Sequence, residues 1–172
     1  MGRRCVVLGV WMAMVCGAAH AGTKPVPSSC NAGVNAGLMQ FVTQHQGVTQ
    51  SLDQDNVMVC GTMLRNSIVQ HAGHSGSGQH HVLLLSVPTQ NGVLQVEVVT
   101  NDSLDGVVTG NTGDQVYAYG QAYEDPGTLR LAGLTLAGGV HEPHCATHQG
   151  ADDGWVVVAG KRYPKGSCQG AH

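Results

Sequence analysis

Three imidazoles, a carboxylate and a cysteine fall within eight consecutive residues, His141-Glu142-Pro143-His144-Cys145-Ala146-Thr147-His148, and Gly150-Ala151-Asp152-Asp153-Gly154-Trp155 follows them. No other stretch of the chain is as dense in groups that ligate metals or carry protons. Pro143 suits the first position of a helix, where its missing N–H costs nothing. His144 and His148 would then stand four apart on one face, with His141 a turn earlier and Gly150 as the stop. That arrangement offers two or three ring nitrogens to one cation, while Asp152 or Asp153 orients a ring or acts as a base. Imidazole-rich ligation suits zinc or copper; calcium and magnesium want more oxygen donors.

His80 and His81 supply a further candidate from a distant strand. Adjacent strand residues face opposite ways, so one of the pair, taken as His81, joins His141, His144 and His148 in the expected ligand set. The competing expectation is a polar loop whose rings bond to nearby backbone. A metal-dependent hydrolase of nuclease type is the alternative activity, with Glu142, Asp152 or Asp153 activating water. The sequence holds no His-Glu-x-x-His helix, no nucleophile elbow and no phosphate-binding loop, since the glycines between Gly73 and Gly78 lack a lysine and a following helix.

Tyr117, Tyr119 and Tyr123 share one face of a predicted strand, opposite Val116, Ala118 and Ala122. Exposed, they would form a stacking platform for single-stranded nucleic acid or glycan, with Asp153 as a further ligand contact. Buried, they would lie under the helix expected over residues 31–45. From Gly22 onward six bases face eleven acids, an excess of five negative charges that argues against polyphosphate partners.

Arg3 and Arg4, the apolar run from Val6 to Val15 and the small residues Ala19 and Ala21 read as a secretory signal peptide over residues 1–21. A periplasmic or secreted chain without a membrane span is the expected product. Cys30, Cys60, Cys145 and Cys168 remain, and in an exported protein an even count favours disulfides. Sequential pairing, Cys30 with Cys60 and Cys145 with Cys168, closes the shortest loops; a zinc site using Cys145 is the competing reading.

The remaining roughly 150 residues suffice for one domain with a real core. Residues 22–56 read as a lead segment and a short amphipathic helix, marked by Val34, Leu38, Phe41 and Val42. Residues 57–172 read as a β domain with the histidine-rich segment near its end. Strands are expected over 57–69, 80–87, 94–98, 115–123 and 129–136, with a helical turn near 104–107 and a bulge or corner at Gly133. Asn91-Gly92 signals a hairpin, after which Leu94, Val96 and Val98 alternate with Gln95 and Glu97, one face dry and the other wet. A terminal hairpin over 155–163 turns at Gly160 and is tied back through Cys168. The expected fold is mainly β: a small five-stranded OB-like barrel with one N-terminal helix and a disulfide-tied C-terminal hairpin.

Four short motifs occur in order: Gln79-His80-His81-Val82; Gly113-Asp114-Gln115-Val116 running into Tyr119-Gly120-Gln121-Ala122-Tyr123; His141-x-x-His144; and Asp153-Gly154-Trp155-Val156. Their order resembles an exported bacterial family known only as a domain of unknown function (DUF3465 type), over about the last two-thirds of the chain. The resemblance implies where to look for a site and implies no reaction. This chain departs from the pattern by placing Cys145 beside the second histidine and by its spacing from the histidines to Trp155.

Overall fold

A computed structural model describes residues 23–45, 51–71, 78–124, 129–166 and 168. The expected signal peptide, residues 1–21, lies outside them. Helix α1 (Ala36–Gln44) opens from a turn in which the Asn31 side chain accepts the Gly33 and Val34 amides. It buries Leu38, Phe41 and Val42, the face that the three-and-four spacing marks.

Among the described residues ten strands follow: β1 (Leu52–Met63), β2 (Ile68–His71), β3 (Gln79–Thr89), β4 (Gly92–Asn101), β5 (Gln115–Glu124), β6 (Leu129–Leu131), β7 (Leu134–Leu136), β8 (Gly139–His141), β9 (Trp155–Val158) and β10 (Lys161–Tyr163). A single helical turn, α2 (Asp102–Asp105), separates β4 from β5. The pairing runs β1-β3-β4-β8-β5 and returns, because β5 also pairs with β1; five strands thus form a ring. All the ring pairings are antiparallel except β4 with β8, which run parallel. Beyond the ring, β9 continues the sheet from β5, and the β9–β10 hairpin turns at Ala159-Gly160 as expected.

Alternation along the strands sorts the core. Leu83 and Leu85 point into the ring with Val57, Val59, Val96 and Val98, under Phe41 of the helix. Val82 and Leu84 point outward, beneath the β6–β7 hairpin, so β3 is apolar on both faces because it is covered on both. Asn35 ties the helix to the sheet. Its wholly buried amide accepts the Cys60 N–H at 2.7 Å and donates to the carbonyls of Cys60 and Pro88 at 3.1 and 2.9 Å. The Cys30–Cys60 disulfide anchors the same point, and Cys145–Cys168 closes the tail, both as expected.

Four expectations need correction. The strand expected over 57–69 begins at Leu52 and breaks after Met63, where the chain turns before β2. Residues 129–136 form a separate tight hairpin around Ala132-Gly133, and the fifth strand of the ring is β8. Glu97, expected on a wet face, is buried and accepts the Tyr123 hydroxyl. No helix forms after Pro143: the His144 carbonyl takes the Gly154 amide at 2.6 Å and the Asp153 side chain takes the Ala146 amide at 3.0 Å. Those backbone groups pair across the loop instead of along a helix.

Asn35→Ala should cost about 2–4 kcal/mol, since it strands buried backbone groups as well as losing their bonds. Chemical denaturation of the oxidised protein checks this; Asn35→Asp, which keeps the acceptor and loses the donor, should fall below wild type too.

Candidate functional site

Parallel pairing of β4 and β8 sends the residues that follow them to the same end of the ring. After β4 come Asp102 and Asp105 of α2; after β8 comes His144; and His81, opposite Thr100, reaches that end from β3. His81 Nδ1 lies 2.7 Å from Asp102 Oδ1, and both side chains are largely covered. His144 is buried, with Nδ1 2.9 Å from the Cys145 carbonyl. A carbonyl oxygen and an ionised carboxylate can only accept, so each ring donates from Nδ1, and in its neutral form carries its lone pair on Nε2.

Asp105 lies at the same end of the ring. It is 2 % exposed; Oδ2 accepts the Asn101 amide at 2.6 Å, while Oδ1 is buried without a hydrogen-bond partner. Burial pushes its carboxyl up to about 6, against the Asn101 amide and His144, which favour the charged form, and with Asp102, which opposes it.

The other two histidines go elsewhere. His148 Nε2 lies 3.0 Å from Asp55 Oδ2 on β1. Gln121 donates from Nε2 to Asp55 Oδ1 at 2.7 Å, which turns its Oε1 to His141 Nε2, also at 2.7 Å. Asp53 lies 3.8 Å from the same His141 nitrogen. Burial alone would raise the Asp55 carboxyl; the hydrogen bonds from His148 and Gln121 and the charges of His148 and His141 outweigh it and hold the carboxyl below its usual range. His148 is raised, chiefly by its hydrogen bond to Asp55 and then by that charge, against a small burial penalty and with help from Glu142. His141, His144 and His148 are therefore not one cluster. The first and third latch the tail to β1, and the second turns into the fold.

The tyrosines are covered, though not by α1, which packs inside the ring against Ala118 and Ala122. Tyr119 is wholly buried beside Trp155 and donates to Asp152 Oδ2 at 2.6 Å; burial, then the Asp152 bond and charge, raise its pKa. Tyr123 is half-buried against His141 and bonded to Glu97, and Tyr117 packs with Tyr119 and Trp155. They do not make an open stacking platform. Asp153 holds the tail's backbone through the Ala146 amide.

Among the described residues, the one group of three ligand atoms that all lie within 4.8 Å of one another is Cys145, Asp153 and Cys168. Its sulfurs are joined in a disulfide and present no thiolate, so the oxidised protein holds no cysteine metal site there. The sequence reading missed Asp102 and Asp105, which look like turn residues. The available signal was an acidic pair three apart directly after the strand that pairs with His81.

The chain matches no family model, no curated protein and no solved structure.

In an NMR titration the His148 ring should change charge above the ordinary value of about 6.5, and Asp55→Asn should bring it back down. Because the folded-state pKa is raised, the latch's contribution to stability is full below the unfolded value and is lost as pH rises through the folded one. An unshifted His148 in the parent protein would show that the pair does not form in solution.

Proposed function

We propose that this chain is an exported, OB-like binding domain of the periplasm or cell exterior, and that it takes zinc or copper at the end of the ring through His81, His144 and Asp105. The observation that carries the metal reading is the buried, unpaired Oδ1 of Asp105, on a carboxyl that feels the charge of His144. An uncompensated buried carboxylate oxygen is costly, and a cation is the partner that removes the cost. Two imidazoles whose Nδ1 protons are already held, one by a carboxylate and one by a carbonyl, have the outer-shell arrangement of metal-binding histidines. Two nitrogens and one oxygen suit zinc or copper. The three ligand atoms do not all lie within 4.8 Å of one another, so taking up an ion has to bring α2 and the His144 segment closer while both Nδ1 bonds are kept. Three protein ligands leave a position open to water, which makes metal-dependent hydrolysis the activity to screen.

A five-strand ring with a short helix between its third and fourth strands supports the OB-like reading. Two disulfides support an oxidising compartment. No helix among the described residues is long and apolar enough to cross a membrane. The order of the four motifs supports membership of the exported DUF3465-type family.

Zinc and copper titrations of the untagged oxidised protein, followed by calorimetry, test the site. His81→Ala and His144→Ala should each abolish tight binding, and Asp102→Asn should weaken it about 10–100-fold by releasing the His81 ring. His141→Ala and His148→Ala should leave it unchanged. A parent protein that binds neither metal, or equal losses in all four histidine variants, would sink the assignment.

A further inference from the structure

Between α2 and the terminal hairpin runs an open groove of about 390 Å³, within the size range of small-molecule sites. Its two walls differ in chemistry. Leu104 and Val107 form one wall and are 51 % and 60 % exposed, two of the five large apolar side chains left to solvent among the described residues. Lys161 and Lys165 line the other together with Tyr163 and Pro164.

The lysines matter because cations are scarce. Only six bases follow residue 22, and three of them, Lys161, Arg162 and Lys165, fall within five residues. Arg162 is engaged with the Trp155 ring at 5.1 Å, and Lys161 lies 4.9 Å from the Tyr163 ring. Every ion pair among the described residues is made by a histidine, so neither groove lysine has a carboxylate partner among them. Asp105 borders the groove, but its carboxyl is buried and turned to the Asn101 amide, so it offers the groove little negative surface.

We infer that this groove binds a single-chain anionic amphiphile, with its carboxylate between Lys161 and Lys165 and its alkyl chain along Leu104 and Val107. Charge complementarity fixes the sign of the head group, and the exposed apolar wall demands a tail. Concavity separates this occupant from a bilayer: apolar and cationic residues line one recess instead of sharing a flat plane. The inference uses no group of the metal site except the floor that Asp105 provides, and it requires no metal.

Dodecanoate, kept below its micellar concentration, is the probe, read by calorimetry and by the methyl resonances of Leu104 and Val107. Saturable binding at one site is expected, with shifts confined to those methyls and their neighbours. The double variant Lys161→Glu/Lys165→Glu should weaken it about tenfold or more, equivalent to losing two charge contacts. Leu104→Asp should do the same from the opposite wall, and all three positions are exposed, so the fold survives. Equal binding of dodecyltrimethylammonium would overturn the charge argument. Absence of saturable dodecanoate binding, or binding seen solely with phosphatidylglycerol vesicles, would overturn the groove.

Discussion

Strand β1 must serve two partners, and the rest of the molecule depends on how it does so. From Leu52 to Thr62 it pairs with β5, and at Thr62 and Met63 it also pairs with β3, so the ring closes through this one strand. A closed ring leaves no unpaired edge among its own members, the standing hazard of β proteins. The corner needs a residue without a side chain: a Cβ on Gly61 would come within 2.6 Å of the Ser86 carbonyl. Just before it, Cys60 is held by the disulfide to Cys30 and by two hydrogen bonds with Asn35, one donated and one accepted by its backbone. One covalent bond and one buried amide therefore fix the helix, the corner and the ring together.

The tail inherits that rigidity. It crosses β5 so closely that a Cβ on Gly120 would run into the His141 carbonyl, and one on Gly154 would come within 2.6 Å of the Tyr119 carbonyl. Held at both contacts and by Cys145–Cys168, the segment has little freedom in where its histidines fall. His141 and His148 come out beside the β1 carboxylates, while His144 comes out on the covered side near Asp105. Spacing along the chain had suggested that the three act together. Packing against β5 divides them.

The sequence reveals the fold wherever the pattern is local. Alternation along β5, the Asn91-Gly92 hairpin, the helix face of Leu38 and Phe41, and the order of the cysteines are each read from a few neighbouring residues. What stays hidden depends on residues far apart. The strand that completes the ring has three residues, too few to show a period, and follows a hairpin whose leucines mimic a longer strand. A helix over residues 143–150 satisfies every local rule, yet the Asp153 side chain and the Gly154 amide compete for the same backbone groups. Asp105 was illegible for a related reason. A carboxylate in a polar turn looks solvated until tertiary structure covers it.

Hydrogen-bond direction, more than histidine density, decides which rings are suited to bind. The His148 and His141 Nε2 atoms donate to Asp55 and to Gln121, so the nitrogens nearest the carboxylates are spent on attaching the tail. In His81 and His144 it is Nδ1 that is anchored, by a carboxylate and by a main-chain carbonyl, and Nε2 keeps its lone pair. The same side chain thus performs opposite tasks at the two places, as latch or as ligand, according to which nitrogen the fold engages. An acidic chain has carboxylates enough to anchor either one. The distinction comes from the side of β5 on which the tail delivers each ring, and so from the glycines that let it cross.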